Sequence, residues 1–146
     1  MLEKKSQLVL LACAVLACSG FAAEAATHAN VAPGIVQPAA APAANCGKAR
    51  VCAYIIGGGG LARAKNVAKV THPGTGIYCV TPKSGVINLS QITPLITPEW
   101  GSSSGNGLLA YYSESKLNCA ASTLEIHTFD TTGTASNGVS FYMVVD

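Results

Sequence analysis

The chain has few of the residues from which recognisable sites are usually built. Of its 146 residues only 11% are charged and 6% aromatic, with a single tryptophan, so a dense catalytic or cofactor constellation has little to be made from. The leading apolar run, Leu8 to Ala17, is ten residues long, about half the roughly 20 needed for a spanning helix, which excludes a transmembrane anchor there. No Cys-x-x-Cys or His-x-x-x-His pair occurs, removing the close ligand spacing of structural zinc. Gly57 to Gly60 precede Leu61-Ala62-Arg63 and lack the Gly-Lys-Ser/Thr with which a P-loop reaches phosphate and metal. The turn Asp130-x-x-Gly133 lacks the further carboxylates of a calcium loop. No cofactor and no metal is implied.

What is present begins with a leader. Lys4 and Lys5 form a short basic region, the apolar run follows, and Gly20 and the small residues around Ala23-Glu24-Ala25 complete the three-part layout of a cleavable bacterial signal peptide over residues 1–25. Val15-Leu16-Ala17-Cys18-Ser19 also reads as a lipobox, in which Cys18 would be lipidated and anchor the chain. The expectation is therefore export to the periplasm, outer surface or medium, with lipid anchoring through Cys18 as the alternative.

Residues 26–45 are rich in alanine, with Pro33, Pro38 and Pro42 spaced against helix and sheet alike, and read as an extended, mobile linker. Residues 46–146 then form one domain. Behind the leader stand four cysteines, Cys46, Cys52, Cys79 and Cys119. In an exported chain this count points to two disulfides with three possible pairings. The short spacing of Cys46 and Cys52 suits a local clip, leaving Cys79 with Cys119. That second bridge would close a loop of about 40 residues, worth roughly 4 kcal/mol by chain entropy.

Beyond Cys46 short β-rich runs alternate with Gly, Pro, Ser and Asn. Strands are expected over 50–56, 67–71, 76–81, 86–89, 94–97, 107–113, 123–129 and 139–145, which makes an all-β antiparallel sandwich of about seven or eight strands. In the last run Val139, Phe141, Met143 and Val145 share one face, which must be buried. Leu124 and Ile126 alternate in the run before it, and Asp130-Thr131-Thr132-Gly133 with Asn137-Gly138 supplies turn chemistry, so these two strands are expected to pair as a hairpin. Leu61, Ala64 and Ala68 fit a helical stripe, yet Arg63, Lys65, Lys69 and Thr71 alternate as in a strand, and strand is preferred. Pro94 and Pro98 place their strand at a sheet edge.

Charge is unevenly spread. Residues 26–98 carry Lys48, Arg50, Arg63, Lys65, Lys69 and Lys83 with no Asp or Glu, whereas 99–146 carry Glu99, Glu114, Glu125, Asp130 and Asp146 against Lys116. Arg63, Lys65 and Lys69 are the candidate anion-binding residues, for envelope polysaccharide, lipid headgroups or a host surface. The competing explanation interleaves the two halves so that opposite charges face each other across strands. A net charge of +2 behind the leader argues against a nucleic-acid partner.

Glu125 and His127, two apart on one strand, would share a face, the geometry of an acid–base pair, although solvent-facing positions on a half-buried strand are the expected explanation. Gly101-Ser102-Ser103-Ser104-Gly105 matches the nucleophile-elbow pattern but precedes no helix, and reads as a flexible loop. Trp100, Tyr111 and Tyr112 flank that loop, with core packing expected for all three.

The run Val70-Thr71-His72-Pro73-Gly74-Thr75-Gly76-Ile77-Tyr78-Cys79-Val80-Thr81, with Asn118-Cys119, Leu124 to Asp130 and Gly138-Val139-Ser140-Phe141, resembles a loose group of exported bacterial proteins of unknown function and, distantly, phage tail-fibre β-domains. The resemblance covers most of residues 50–146, with the Gly57–Gly60 loop as a departure. It implies a β-sandwich with a bridge between the two cysteine segments, and it assigns no catalytic residue. The expected function is thus a non-catalytic binding or structural module of the cell envelope, the alternatives being a small enzyme using Glu125 and His127 or an anionic-glycan or lipid binder.

Overall fold

The computed structural model describes residues 36–38 by their backbone and residues 41–104 and 108–146 in full. The leader with Cys18 lies outside these residues, as does Gly105 of the serine-rich loop. Nine strands occur among them: β1 (Val36–Pro38), β2 (Val51–Ile56), β3 (Gly60–Lys65), β4 (Val67–Gly74), β5 (Ile77–Pro82), β6 (Leu95–Glu99), β7 (Leu109–Ser113), β8 (Leu124–Phe129) and β9 (Ser140–Val145). They build two antiparallel sheets, a five-stranded one in the order β1-β4-β5-β8-β7 and a four-stranded one in the order β3-β2-β9-β6. The protein is an all-β sandwich.

Period-two alternation decides which residues meet between the sheets. Val51, Ala53 and Ile55 of β2 and Phe141, Met143 and Val145 of β9 point inward from one sheet; Val70, Tyr78, Val80, Leu124 and Ile126 do so from the other, and all belong to one buried cluster. The Phe141 ring meets Tyr78 edge to face, with centroids 5.2 Å apart, a favoured aromatic geometry. Full burial of side chains such as Phe141 and Ile126 stabilises the fold by about 1.5–3 kcal/mol each.

Several expectations are corrected. β8 and β9 do not pair: β8 lies between β5 and β7, and β9 between β2 and β6, in opposite sheets. The turn chemistry after β8 is real, since Asp130 Oδ1 accepts from the backbone of Thr132 and Thr134 and Ser136 N donates to Thr128 O. That fold-back ends at a lone bridge, Phe129 with Ala135, and the chain then crosses to the other sheet through Asn137-Gly138. Residues 86–89 form no strand, because their backbone is used locally: Val86 N donates to Lys83 O, Gln91 N to Asn88 O, and Asn88 Oδ1 accepts from Ser90 N. Val86, Ile87 and Leu89 still pack on the core.

Part of the run expected as a linker joins the sandwich. Val36–Pro38 pairs with Lys69–Thr71 of β4, and Ala43 bridges Ala64 while Ala44 N donates to Ala64 O. Residues 60–65 are strand rather than helix, and Gly57–Gly60 is the β2–β3 hairpin turn. Gly58 and Gly59 there hold φ of +86° and +98°, which only glycine adopts without strain. β6, with Pro94 before it and Pro98 within it, is an edge strand as expected.

Both disulfides form with the favoured pairing, Cys46 with Cys52 and Cys79 with Cys119, at Cα separations of 6.5 and 5.6 Å. Cys52 and Cys79 occupy outward positions on central strands, so each bridge clips a loop onto the outer face of one sheet.

Candidate functional site

The outer face of the four-stranded sheet carries a row of planar groups. Register places Arg63 beside Tyr54 and Tyr54 beside Tyr142, one on each of β3, β2 and β9. The tyrosine rings stack with centroids 4.6 Å apart and planes 23° from parallel, and the Arg63 guanidinium sits 5.5 Å from the Tyr54 centroid. Tyr54 is thus flanked by a ring on one side and a cation on the other, a cation–π arrangement. Beside this row a cleft of about 290 Å³ opens, bounded across from the rings by Ala44, Asn45 and the Cys46–Cys52 bridge.

Charges around this cleft are unequal. Arg63 is exposed and Lys65 half-buried, its Nζ donating to Gly47 O at 3.0 Å. Lys48 and Arg50 are exposed on the clipped loop, where an Arg50 nitrogen donates to the Asp146 main-chain oxygen. The Glu99 carboxylate is engaged by neutral donors. It accepts from the Tyr54 hydroxyl, Gly101 N and Ser102 N at 3.2, 2.7 and 2.7 Å. The Ser102 amide above all, helped by Gly101 and Tyr54 against the opposing effect of burial, holds its carboxyl below the usual range.

The three candidate anion-binding residues are not all brought together. Arg63 and Lys65 share the outer face of β3, whereas Lys69 lies on β4, opposite Thr81 and Pro38, in the other sheet. The halves of the chain do interleave, since β2 and β3 lie in one sheet with β6 and β9. Even so, the register partners of Arg63, Lys65 and Lys69 are Tyr54, Cys52, Thr81 and Pro38, so none of these cations faces a carboxylate across a strand pair.

Glu125 and His127 point outward from the five-stranded sheet and touch, Oε1 to Nε2 at 2.6 Å. Glu125 is nonetheless fully buried, contrary to the expected solvent-facing position. The loop clipped by Cys79–Cys119 closes over it, and Asn118 donates to it from both backbone N and Nδ2, at 2.9 and 3.0 Å. Burial pushes this carboxyl up, but the hydrogen bonds from His127 and Asn118 together outweigh it and hold it below the usual range. Its acceptor capacity anchors the loop. His127 stacks on Tyr111 at 5.5 Å, and Tyr111 on Phe129 at 5.7 Å.

Neither Trp100 nor Tyr111 packs in the core: they are 68% and 42% exposed, and only Tyr112 packs against it. Ser103, the would-be nucleophile, is a brace between β6 and β9. Its Oγ accepts from Ser140 N at 2.8 Å and donates to Glu99 O, and no helix follows among the described residues.

One end of the sandwich holds a polar cluster that the sequence did not reveal. Asn137 Oδ1 accepts from Gly76 N at 2.6 Å and meets His72 Nε2 at 2.8 Å, which puts the imidazole hydrogen on Nε2. His72 is buried against Tyr78, and its Nδ1 finds no partner among the described residues. The Tyr78 hydroxyl accepts from Gly58 N. Burial pushes the imidazole below its ordinary range, against the opposing pull of Asn137. The signal that could have found the open face was also weak. Tyr54, Arg63 and Tyr142 are isolated outward positions on three strands, and only register makes them neighbours.

No group of three or more potential metal ligands occurs among the described residues. Fold and face together define a disulfide-stapled antiparallel β-sandwich with one open cationic, aromatic surface. No family model, no curated protein and no solved structure matches the chain.

Proposed function

We propose that the chain is an exported, non-catalytic binding module of the bacterial cell envelope. The observation that carries this reading is the Arg63–Tyr54–Tyr142 stack beside an open cleft, an exposed aromatic and cationic surface that the fold does not need for its core. Two disulfides fit an oxidising compartment and hence an exported protein. The leader supports the same destination, with cleavage after Ala25 or lipidation at Cys18 as its two forms.

The test is co-sedimentation of the oxidised protein with isolated bacterial envelope. Binding is expected, and a large loss in a variant carrying both Arg63→Ala and Tyr142→Ala. Equal sedimentation of that folded variant, or no sedimentation of the parent, would overturn the reading.

The 2.6 Å contact of Glu125 and His127 supports a second reading, acid–base catalysis. It requires the protein to release soluble fragments from envelope polysaccharide, and His127→Ala to abolish that release with melting unchanged. The covered carboxylate, already engaged by Asn118, favours an anchoring role instead.

A further inference from the structure

We propose that the cleft beside the Cys46–Cys52 bridge takes a hexuronate, a sugar unit bearing a carboxylate, from an acidic polysaccharide. The carboxylate meets the Arg63 guanidinium and the sugar ring packs against Tyr142, whose ring is held in place by Tyr54. This rests on the binding-module reading and adds the chemical class of the ligand.

The Arg63 guanidinium carbon lies over the Tyr54 ring, 5.5 Å from its centroid, and a cation–π contact consumes none of the guanidinium's N–H donors, whose planar fork matches a carboxylate. The Tyr54 ring also restrains the side chain, so less rotamer freedom is lost when an anion binds. Among the described residues, Arg63 is the one charged side chain lining the cleft. Lys65 and Lys48 lie at the same clipped loop, Arg50 is engaged by the Asp146 main-chain oxygen, and the Glu99 carboxylate is occupied by Tyr54, Gly101 and Ser102. The local charge therefore calls for an anion.

Size and backbone narrow the class. A volume of about 290 Å³ lies at the bottom of the roughly 300–1,000 Å³ range of small-ligand sites, which suits one sugar ring. An acidic peptide that binds by adding a strand needs free backbone groups to pair with, and one read by arginine side chains needs a cluster of them. The cleft instead lies over β2, whose backbone is paired with β3 on one side and β9 on the other. The Tyr142 ring, 40% exposed, offers apolar surface for the C–H face of a pyranose. A flat anionic bilayer would have to reach an anion site walled by the strap Ala44–Cys46.

The experiment titrates the oxidised protein with an oligogalacturonate, its neutral methyl ester, oligoglutamate and phosphatidylglycerol vesicles, followed by calorimetry. Oligogalacturonate is expected to bind about tenfold or more tighter than the ester or oligoglutamate, the size of one charge-assisted bidentate contact. Arg63→Ala should weaken it by a similar factor. Arg63→Lys, which keeps the charge but loses the fork, should weaken it several-fold, and Lys69→Ala on the opposite face should leave it unchanged. Equal affinity for oligoglutamate, vesicle binding without oligogalacturonate binding, or an Arg63→Lys variant equal to the parent would each overturn the proposal. Envelope binding that survives while oligogalacturonate fails would sink the ligand class and leave the module reading standing. Loss of both would sink the two together.

Discussion

Each outer face of the sandwich has a disulfide tying a loop to a central strand, Cys52 of β2 to Cys46 on one and Cys79 of β5 to Cys119 on the other. Beside Cys79 the loop folds down onto Glu125, and Asn118 and His127 fill the carboxylate's acceptor positions until it is fully buried. Beside Cys52 the strap stops short, leaving a cleft walled by Tyr54, Tyr142 and an exposed Arg63. The same covalent device thus seals a charge on one face and leaves one available on the other. A charged residue next to a bridge is structural or functional according to whether the clipped loop supplies its hydrogen bonds.

The contrast can be broken most strongly by removing the bridges. Loss of Cys79–Cys119 by paired alanine substitution releases a loop with a sequence separation of 40 and should cost roughly 4 kcal/mol in urea unfolding. The Cys46–Cys52 pair, with a separation of 6, should cost about 2 kcal/mol. Equal losses would mean that loop length does not govern the difference. Glu125→Ala strands the Asn118 donors and should cost about 2–3 kcal/mol by thermal melting, with Glu125→Gln milder because one acceptor remains.

Acid should sharpen the comparison further. The native Glu125 carboxyl lies below its ordinary value of about 4.3, so its contribution is complete above that pH and is lost as pH falls through the native value. His72, held neutral below about 6.5, acts in the same direction, because the unfolded chain takes up its proton first. Melting temperature should therefore begin to fall below about pH 6.5 and fall again in the carboxylate range. A folded His72→Gln variant should lack the first step. Arg63→Ala is expected to have the smallest effect on stability, within about 0.5 kcal/mol, because the side chain is exposed. A loss as large as that of Glu125→Ala would make the open face structural too.

The alternation of Val139, Phe141, Met143 and Val145 made β9 legible, and the cysteine spacing gave both bridges. Partnership was harder to read. The Asp130–Gly133 turn is locally faithful, yet the chain leaves the fold-back at Ala135 and crosses between sheets, a choice made by the core and not by the turn. The grouping of Arg63, Lys65 and Lys69 failed for a related reason. Lys65 and Lys69 are four residues apart in sequence, but the chain changes sheets between β3 and β4. Tyr54 and Tyr142 stand far apart along the chain and meet only through register.

The crossing residue carries a chemical liability. In an Asn-Gly pair the unhindered glycine nitrogen attacks the asparagine side-chain carbonyl readily, with loss of ammonia and eventual conversion to a carboxylate. In the native protein Asn137 is pinned by Gly76 and His72, and Gly138 N is occupied by Ser136 Oγ. Folding thus acts as a preservative, and ageing is confined to excursions in which this end opens. Heat-stressed samples are expected to accumulate a new negative charge at position 137, beside a buried imidazole, visible by isoelectric focusing before any loss of secondary structure.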